Sequence, residues 1–122
     1  MVNPMFANLQ RIGFIETDAD LIKSYCRGQR GEEGQASFLA RPRTTEELSE
    51  LVRYCVQNKI TLVPQSGRTG LVGSSVPSAE GHQAVVSLER LNAHCVLGRT
   101  NRSVTCSAGV RLSELNRHLP QK

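Results

Sequence analysis

The stretch from Pro64 to Pro77 contains the residues that most clearly indicate a binding site. Its three glycines are regularly spaced, three of its hydroxyl side chains are candidate donors and one arginine adds a charge: Gly67, Gly70, Gly73, Thr69, Ser74, Ser75 and Arg68. Successive backbone N–H groups in such a turn form an anion-binding concavity. Glycine tolerates positive φ and has no Cβ to hold a phosphate away. The stretch therefore predicts a loop that binds a diphosphate.

Two common phosphate-binding motifs do not match this loop. A Walker loop needs a lysine after its last glycine, and the sequence has no lysine between Lys59 and Lys122. A dinucleotide fingerprint needs Gly-x-Gly-x-x-Gly opening directly into a helix, whereas these glycines are three residues apart and Pro77 is followed by more loop residues. A mobile surface loop without any ligand stays open as an alternative on composition alone.

A strand, a helix and a second strand precede the loop. Residues 37–40 are apolar and stop at Pro42, which has no N–H to donate. Thr44 to Glu47 matches a capping box, and an apolar stripe with helical spacing follows, which we expect to be buried: Leu48, Leu51, Val52, Cys55 and Val56. Asn58 is the expected left-handed C-cap, and residues 60–63 form the next strand. The order predicts a parallel βαβ unit over residues 36–64.

Weaker patterns predict the remaining elements. Residues 84–88 form a strand, residues 88–92 a turn, residues 95–97 and 103–106 a hairpin, and Leu112, Leu115 and Leu119 mark a last helix. Before residue 36, the sequence indicates one helix through Phe6, Leu9, Ile12 and Phe14, a short helix over residues 18–25, and an irregular, mobile loop over residues 27–34.

Length and composition limit the class of protein. A chain of 122 residues fits one domain, and no apolar run approaches the roughly 20 residues that cross a bilayer. The N-terminus has no secretory signal pattern, so we expect a soluble, cytoplasmic protein. The net charge of +4 comes without a basic cluster, which argues against a nucleic-acid partner. The cysteines lack zinc-ligand spacing, so we expect no metal site and interpret them as ordinary buried thiols: Cys26, Cys55, Cys95 and Cys106.

Six blocks of sequence, in order, resemble one family. They are Arg41–Thr44, Val63–Gln65, Gly67–Gly73, Ser75–Pro77, Val86–Asn92 and Ala108–Val110. Together they resemble the FAD-binding domain of the vanillyl-alcohol oxidase superfamily. Within it, the likeness is to the flavoenzymes that oxidise D-2-hydroxyglutarate, D-lactate and glycolate. The resemblance implies an α+β fold with a small, mainly parallel βαβ sheet flanked by helices, as the first subdomain of an FAD-binding (PCMH-type) domain.

The resemblance also implies which residues contact FAD. By motif position, the diphosphate ligands are Pro64, Gln65, Ser66, Gly67, Arg68, Thr69, Gly70, Leu71, Gly73 and Ser74, with Ala108 and Gly109 as weaker candidates whose alternative role is a tight turn. Relatives with covalent flavin often use a histidine near position 68, and no His or Cys lies between residues 64 and 77. We therefore expect noncovalent FAD.

Three positions depart from the family pattern. The family usually has glycine at positions 66 and 74 and asparagine at position 68, where this chain has Ser66, Ser74 and Arg68. If a serine position requires positive φ, the cost is about 1–2 kcal/mol.

The resemblance implies a flavin-dependent enzyme whose catalytic residues are not in this chain. We expect residues 1–35 to be a helical lead with a loop, and residues 36–122 to be a first subdomain truncated at its C-terminus. The rest of the FAD domain and a substrate cap domain would be its partners, and small D-2-hydroxy acids its substrates. A remnant that folds and self-associates without binding FAD is the alternative, and FAD binding by the purified chain distinguishes the two.

Overall fold

The computed structural model describes residues 14–100 and 102–119, which form strands and helices in alternation. In chain order these are β1 (Ile15–Glu16), α1 (Ala19–Ser24), β2 (Ala36–Ala40), α2 (Thr45–Gln57), β3 (Thr61–Gln65), β4 (Gln83–Ser87), β5 (Cys95–Leu97), β6 (Val104–Cys106) and α3 (Leu112–His118). The helix predicted through Phe6, Leu9 and Ile12 lies outside the described residues. Phe14 is buried and precedes β1 without being helical.

The main sheet has the strand order β1-β2-β4-β3. β4 is parallel to both of its neighbours, and β1 adds an antiparallel edge through the pairs Ile15↔Ala40 and Glu16↔Leu39. The predicted βαβ unit is present, because α2 connects the parallel strands β2 and β3. However, these strands are not adjacent, since β4 lies between them. The expected fold class, a mainly parallel sheet flanked by helices, is confirmed.

Both faces of the sheet are covered, which explains the nearly continuous apolar character of its central strands. On the α2 side, Phe38, Ala84 and Val86 pack with Leu51 and Cys55. On the α1 side, Leu39 and Val85 pack with Tyr25 and Cys26. The alternation along β2 and β4 therefore sends successive side chains into two separate cores.

Helix α2 begins with the predicted cap in a slightly altered form. The Glu47 N–H donates to Thr44 Oγ1 at 3.1 Å, as the capping box requires. The Glu47 carboxylate accepts from the N–H of Arg43 at 2.7 Å, one residue earlier than the motif predicts. The N-terminus of α2 is thus fixed by local hydrogen bonds.

The prediction that the whole apolar stripe of α2 is buried is wrong. Leu51 and Cys55 are fully buried, but Val52 is 41% and Val56 is 73% exposed. Periodicity places these residues on one side of the helix, yet the sheet beneath covers only a narrow part of that side. An apolar strip on α2 therefore faces solvent.

The sequence predicted Asn58 as the left-handed residue after α2, but the structure has Lys59 in that conformation. Asn58 has φ −103°, whereas Lys59 has φ +55°. The N–H of Lys59 donates to Val56 O and that of Ile60 to Cys55 O at 2.8 Å. This is the Schellman pairing, which turns the chain from α2 into β3.

Residues 26–34 form a hydrogen-bonded turn, so the expectation of irregular backbone in this segment is wrong. Arg27 and Glu33 are bridged as an antiparallel pair, Gly28 N–H donates to Glu32 O, and Gly34 N–H donates to Cys26 O. Gly31 supplies the positive φ of +86° that the turn needs. This turn follows α1 directly and packs beside the glycine-rich segment.

The second half of the chain adds a hairpin and a short helix. β5 and β6 pair in antiparallel fashion, as predicted, with Cys95 opposite Cys106. Of the cysteines, Cys26 and Cys55 are buried, but Cys95 is half-buried and Cys106 is exposed, so the expectation of ordinary buried thiols fails for the hairpin pair. Among the described residues, no helix has the length and apolar character that crossing a membrane requires.

Burial of Cys55 predicts a specific pH dependence of stability. Burial raises the pKa of this thiol from 9.0 to about 11. Because the folded protein then holds the proton more tightly than the unfolded chain, the stabilisation is complete below about pH 9 and is lost as the pH rises through 11. Between these pH values, the free energy of unfolding of the native protein should fall about 2 kcal/mol more than that of Cys55→Ala.

Urea denaturation at intervals across this range measures both slopes. The pKa values of Tyr25 and Cys26 are also raised, chiefly by burial, so the variant should keep a smaller decline. Parallel curves for the two proteins would contradict the assignment to Cys55.

Candidate functional site

Three connections meet at the carboxyl edge of the parallel sheet. They are the glycine-rich segment after β3, the turn after β4, and the turn at residues 107–110 after β6. Pro64 and Gln65 belong to β3, so the loop itself begins at Ser66 and not at Pro64 as predicted. Crevices outside the carboxyl ends of parallel strands are the usual ligand sites of such sheets.

The side chain of Gln65 fixes the glycine-rich loop from beneath. It is only 3% exposed, and its Nε2 donates to Tyr25 O at 2.5 Å and to Ser75 O at 2.6 Å. Both partners are carbonyl oxygens, so the nitrogen of the amide must face them. The backbone C=O of Gln65 also accepts from Leu88 N–H at 2.8 Å. One residue thus joins the start of the loop, its far end, the segment after α1 and the turn after β4.

Arg68 carries the unusual backbone conformation of the loop. Its φ is +58°, while neither Ser66 nor Ser74 has positive φ. The strain that we considered for the serines therefore belongs to Arg68, and it costs about 1–2 kcal/mol. Asparagine tolerates this conformation better, which is a physical reason for the family's preference at position 68.

The Arg68 side chain offsets this strain with contacts to the last residue of α1 and to Tyr25 directly after it. Its Nη1 donates to Ser24 O at 2.8 Å, and its guanidinium carbon lies 4.3 Å from the centre of the Tyr25 ring. The Arg68 carbonyl accepts from Gln29 Nε2 at 2.9 Å. The guanidinium and the backbone carbonyl of Arg68 therefore together hold the loop against residues 24–29.

The far end of the loop packs against the turn of residues 26–34. A Cβ on Gly34 would lie 1.8 Å from Pro77 O, and one on Gly28 would lie 3.0 Å from a methyl group of Val76. Gly73, with φ +77°, begins the tight turn that returns the chain to Val76. Both ends of the loop are thus immobilised by protein contacts.

The middle of the loop is open. Ser66, Gly67, Thr69, Gly70, Leu71 and Ser74 are exposed, as is Pro64 in the preceding strand. A Cβ built on Gly67 or Gly70 would meet nothing within 4 Å, and neither residue has positive φ. The fold itself therefore does not require glycine at these two positions. Their lack of a side chain instead leaves backbone open to a bulky ligand, which fits a diphosphate.

Ala108 and Gly109 were the weaker candidates from the sequence. The turn that they form lies beside the loop. Ser66 Oγ donates to Ala108 O at 2.6 Å, and Gly109 N–H donates to Leu91 O at 2.9 Å. Between the loop and the start of α3 lies a cleft of about 450 Å³, lined by Ser66, Gly67, Thr69, Gly109, Val110, Arg111, Leu112 and Ser113. Sequence reasoning missed Arg111, although a cation directly after Ala108–Val110 was a usable signal.

A partly buried polar cluster supports this edge of the sheet. Tyr25 Oη donates to Glu89 Oε1, while Arg41 contacts Glu16 Oε1 at 2.6 Å and Glu89 Oε1 at 3.7 Å. Burial, then the hydrogen bond and negative charge of Glu89, raise the pKa of Tyr25. The cluster joins β1, β2, the segment after α1 and the turn after β4.

Larger clefts elsewhere contain few or none of the predicted site residues. One of about 640 Å³, between α1, residues 33–36 and Ala79, contains none, and one of about 480 Å³, between the start of α2 and residues 91–108, contains only Ala108. In residues 14–100 and 102–119, no three His, Cys, Asp or Glu side chains are grouped as a metal site requires. The glycine-rich loop and its neighbouring cleft are therefore the candidate site.

Comparison with known proteins identifies the class. A mainly parallel sheet with helices on both faces and a glycine-rich loop at its carboxyl edge is an architecture that often binds nucleotide cofactors. A family profile described as an FAD binding domain matches residues 36–122. The chain belongs to this family, as the sequence resemblance predicted, and FAD is its cofactor.

Curated relatives and solved structures agree with this assignment. The mitochondrial D-2-hydroxyglutarate dehydrogenase of Danio rerio is 35% identical over 107 residues, which are 87% of this chain and 20% of the relative. The D-2-hydroxyglutarate–pyruvate transhydrogenase of Saccharomyces cerevisiae is 33% identical over 86 residues, which are 70% of this chain and 17% of the relative. The chain thus spans about a fifth of the length of these relatives.

Solved structures share the fold at low sequence identity. An alkyldihydroxyacetonephosphate synthase superimposes with a TM-score of 0.81 at 18% identity, over 98% of this chain and 25% of its own. A p-cresol methylhydroxylase with bound substrate superimposes with a TM-score of 0.77 at 19% identity, over 97% of this chain and 25% of its own. The fold is therefore that of about one quarter of each of these longer chains.

Replacing glycine by alanine should reduce stability at position 109 and leave it nearly unchanged at position 67. A Cβ on Gly109 would lie 2.1 Å from Leu88 O and 2.9 Å from the backbone of Glu89, whereas one on Gly67 meets nothing. Gly109→Ala should therefore destabilise the chain by about 1–3 kcal/mol through overpacking. Gly67→Ala should change stability by less than about 0.5 kcal/mol. Thermal and urea denaturation of both variants test the packing of the turn, and equal stabilities would contradict it.

Proposed function

We propose that this chain is the FAD-binding portion of a flavin-dependent oxidoreductase that oxidises small D-2-hydroxy acids. The observation that carries the proposal is the glycine-rich loop, whose ends are fixed by Gln65 and whose open middle lies at the carboxyl edge of a parallel sheet. The family match at residues 36–122 supports FAD as the ligand of this loop.

The loop backbone would hold the FAD diphosphate. Gly67 and Thr69 are exposed and line the cleft together with Ser66, and Gly70 is exposed next to Thr69, so the backbone of these residues would be open to the diphosphate. Gly73 shapes the turn, and Gln65 keeps the loop in place from below. The proposed contact residues are those predicted from sequence: Pro64, Gln65, Ser66, Gly67, Arg68, Thr69, Gly70, Leu71, Gly73, Ser74, Ala108 and Gly109. Arg111 is an added candidate, because its positive side chain lines the same cleft.

FAD would be held without a covalent bond. Residues 64–77 contain no histidine or cysteine that could attach a flavin. Cys26 and Cys55, moreover, are buried in the two cores. If the proposal is right, acid precipitation of a flavin-loaded sample should release all of its FAD into the supernatant.

The substrate and partners are proposed from the relatives. The names of two relatives specify D-2-hydroxyglutarate, which supports a small D-2-hydroxy acid without choosing among such acids. When bound, FAD would supply the hydride acceptor. We assign no catalytic residue to this chain, and we propose that further parts of an FAD domain and a substrate cap domain supply them.

We also propose that the exposed strip of α2 promotes self-association of the isolated chain. Val52 and Val56 lie in the open on α2, beside a shallow apolar hollow lined by Leu48 and Val52. Exposed apolar patches favour association when nothing covers them. A clean monomer by light scattering at high protein concentration would argue against this.

The location stays a proposal as well. The sequence predicts the cytoplasm, whereas the Danio rerio relative is named as mitochondrial. We favour the cytoplasm, and immunodetection in separated cell fractions distinguishes these compartments.

Titration of FAD into the purified chain tests the proposed function. Flavin fluorescence should report saturable, weak binding, because one portion of the domain provides only part of the contacts to FAD. In a variant with Gly67→Asp and Gly70→Asp, binding should be lost, since two carboxylates would then occupy the diphosphate position and repel it.

A matched control separates this local effect from net charge. The double variant Ser49→Asp and Gln57→Asp adds the same two charges on exposed positions of α2, and its affinity for FAD should remain near that of the native chain. Equal weakening in both variants would mean nonspecific electrostatics. Absence of binding to the native chain up to millimolar FAD would favour the alternative, a chain that folds without holding the cofactor.

A further inference from the structure

The two cysteines of the β5–β6 hairpin face each other across the strands. The register pairs Cys95 with Cys106, Val96 with Thr105 and Leu97 with Val104. Residues directly opposite in an antiparallel pair have side chains on the same face of the ribbon. The two thiols are therefore neighbours, although ten residues separate them in sequence.

The hydrogen-bond pattern defines the type of pair. Gly98 N–H donates to Ser103 O at 2.8 Å, and Ser107 N–H donates to His94 O at 2.9 Å, so both flanking pairs are hydrogen-bonded. Hydrogen-bonded and non-hydrogen-bonded pairs alternate along an antiparallel ladder. The pair of His94 and Ser107 is hydrogen-bonded, so the next pair along the ladder, Cys95 and Cys106, is a non-hydrogen-bonded pair. The alternation counted from Gly98 and Ser103 gives the same result. The Cα atoms of such pairs lie about 4.5 Å apart, which is within the range that a disulfide spans.

The hairpin cysteines are more accessible to solvent than the other two cysteines. Cys106 is exposed and Cys95 is half-buried, whereas Cys26 and Cys55 are buried. Burial raises the pKa of both Cys26 and Cys55, which keeps them as unreactive thiols. A dissolved oxidant can therefore reach the hairpin pair and not the core cysteines.

We propose that Cys95 and Cys106 form a reversible intramolecular disulfide when the chain meets a low-molecular-weight disulfide such as oxidised glutathione. The Cys106 thiolate attacks one sulfur of glutathione disulfide, which breaks that bond and releases one glutathione thiolate. The Cys95 thiolate then attacks the Cys106 sulfur and releases the second glutathione. Two protein thiols lose two electrons and two protons, and one glutathione disulfide becomes two glutathione thiols.

This disulfide would link the open end of the β5–β6 hairpin, which lies beside the glycine-rich loop. Cys106 is followed by Ser107 and Ala108, and the Ala108 carbonyl accepts the hydrogen bond from Ser66 Oγ at 2.6 Å. Oxidation should therefore slow the opening of the β5–β6 ribbon. By the loop-closure effect, hydrogen exchange of its amides should slow on the order of tenfold or more.

Mapping of cysteines in the purified, reduced full chain tests the proposal. After incubation with oxidised glutathione and alkylation in denaturant, mass spectrometry should find the peptides of Cys95 and Cys106 linked, with a mass two hydrogen atoms below the sum of the two reduced peptides. A thiol reductant should restore both alkylation sites. Cys26 and Cys55 should stay reduced, and the product should remain monomeric on a nonreducing gel.

The matched control moves one thiol to the other face of the ribbon. A variant that combines Thr105→Cys with Cys106→Thr keeps the composition, but adjacent strand residues point to opposite faces, so Cys95 loses its partner. This variant should accumulate a mixed disulfide with glutathione instead of the internal bond. The proposal is overturned if the native chain also stops at the mixed disulfide, if it links to a second chain, or if the variant forms the internal bond equally well.

Discussion

The glycine-rich loop keeps its shape because both of its ends are held by one buried amide. A segment with so many small residues has a large conformational entropy to lose, on the order of 1–2 kcal/mol per residue. The two hydrogens of the Gln65 amide satisfy the carbonyls of Tyr25 and Ser75, and both hydrogen bonds are strengthened by the near-complete burial of the side chain. These bonds bring the segment after α1 and the far end of the loop to the same strand end. The middle of the loop is exposed and can face a ligand, while hydrogen bonds hold its two ends in position.

The strand order determines what surrounds this loop. Because β4 lies between β2 and β3 and runs parallel to both, the three strands release their chains at one edge. Glu89, after β4, therefore reaches Tyr25 and Arg41, and the backbone at Leu88 packs against Gly109. An anionic cofactor needs backbone donors that are already in place, since ordering them on binding would reduce its affinity. The edge provides this order through contacts that are made before any ligand arrives.

Sequence patterns were reliable where the interaction is local. The cap at Thr44 depends on residues three apart, so the start of α2 was predicted correctly. The hairpin likewise follows from two short apolar runs and a polar connection. Patterns failed where burial depends on a neighbouring element. The spacing of Val52 and Val56 says which side of α2 they share, but not how far the sheet extends beneath them. The expectation for Ser66 and Ser74 failed for a similar reason, because the path of the loop places the positive φ at Arg68.

Residue types in short, ordered blocks were enough to predict the family, the fold class and the position of the glycine-rich loop. Other features could be seen only in the folded chain: the role of Gln65, the contacts of Arg68 with Ser24 and Tyr25, the cleft lined by Arg111, and the pairing of Cys95 with Cys106. Each of these joins residues that are distant in the chain. Their proximity follows from strand order and register, and neither composition nor periodicity contains that information.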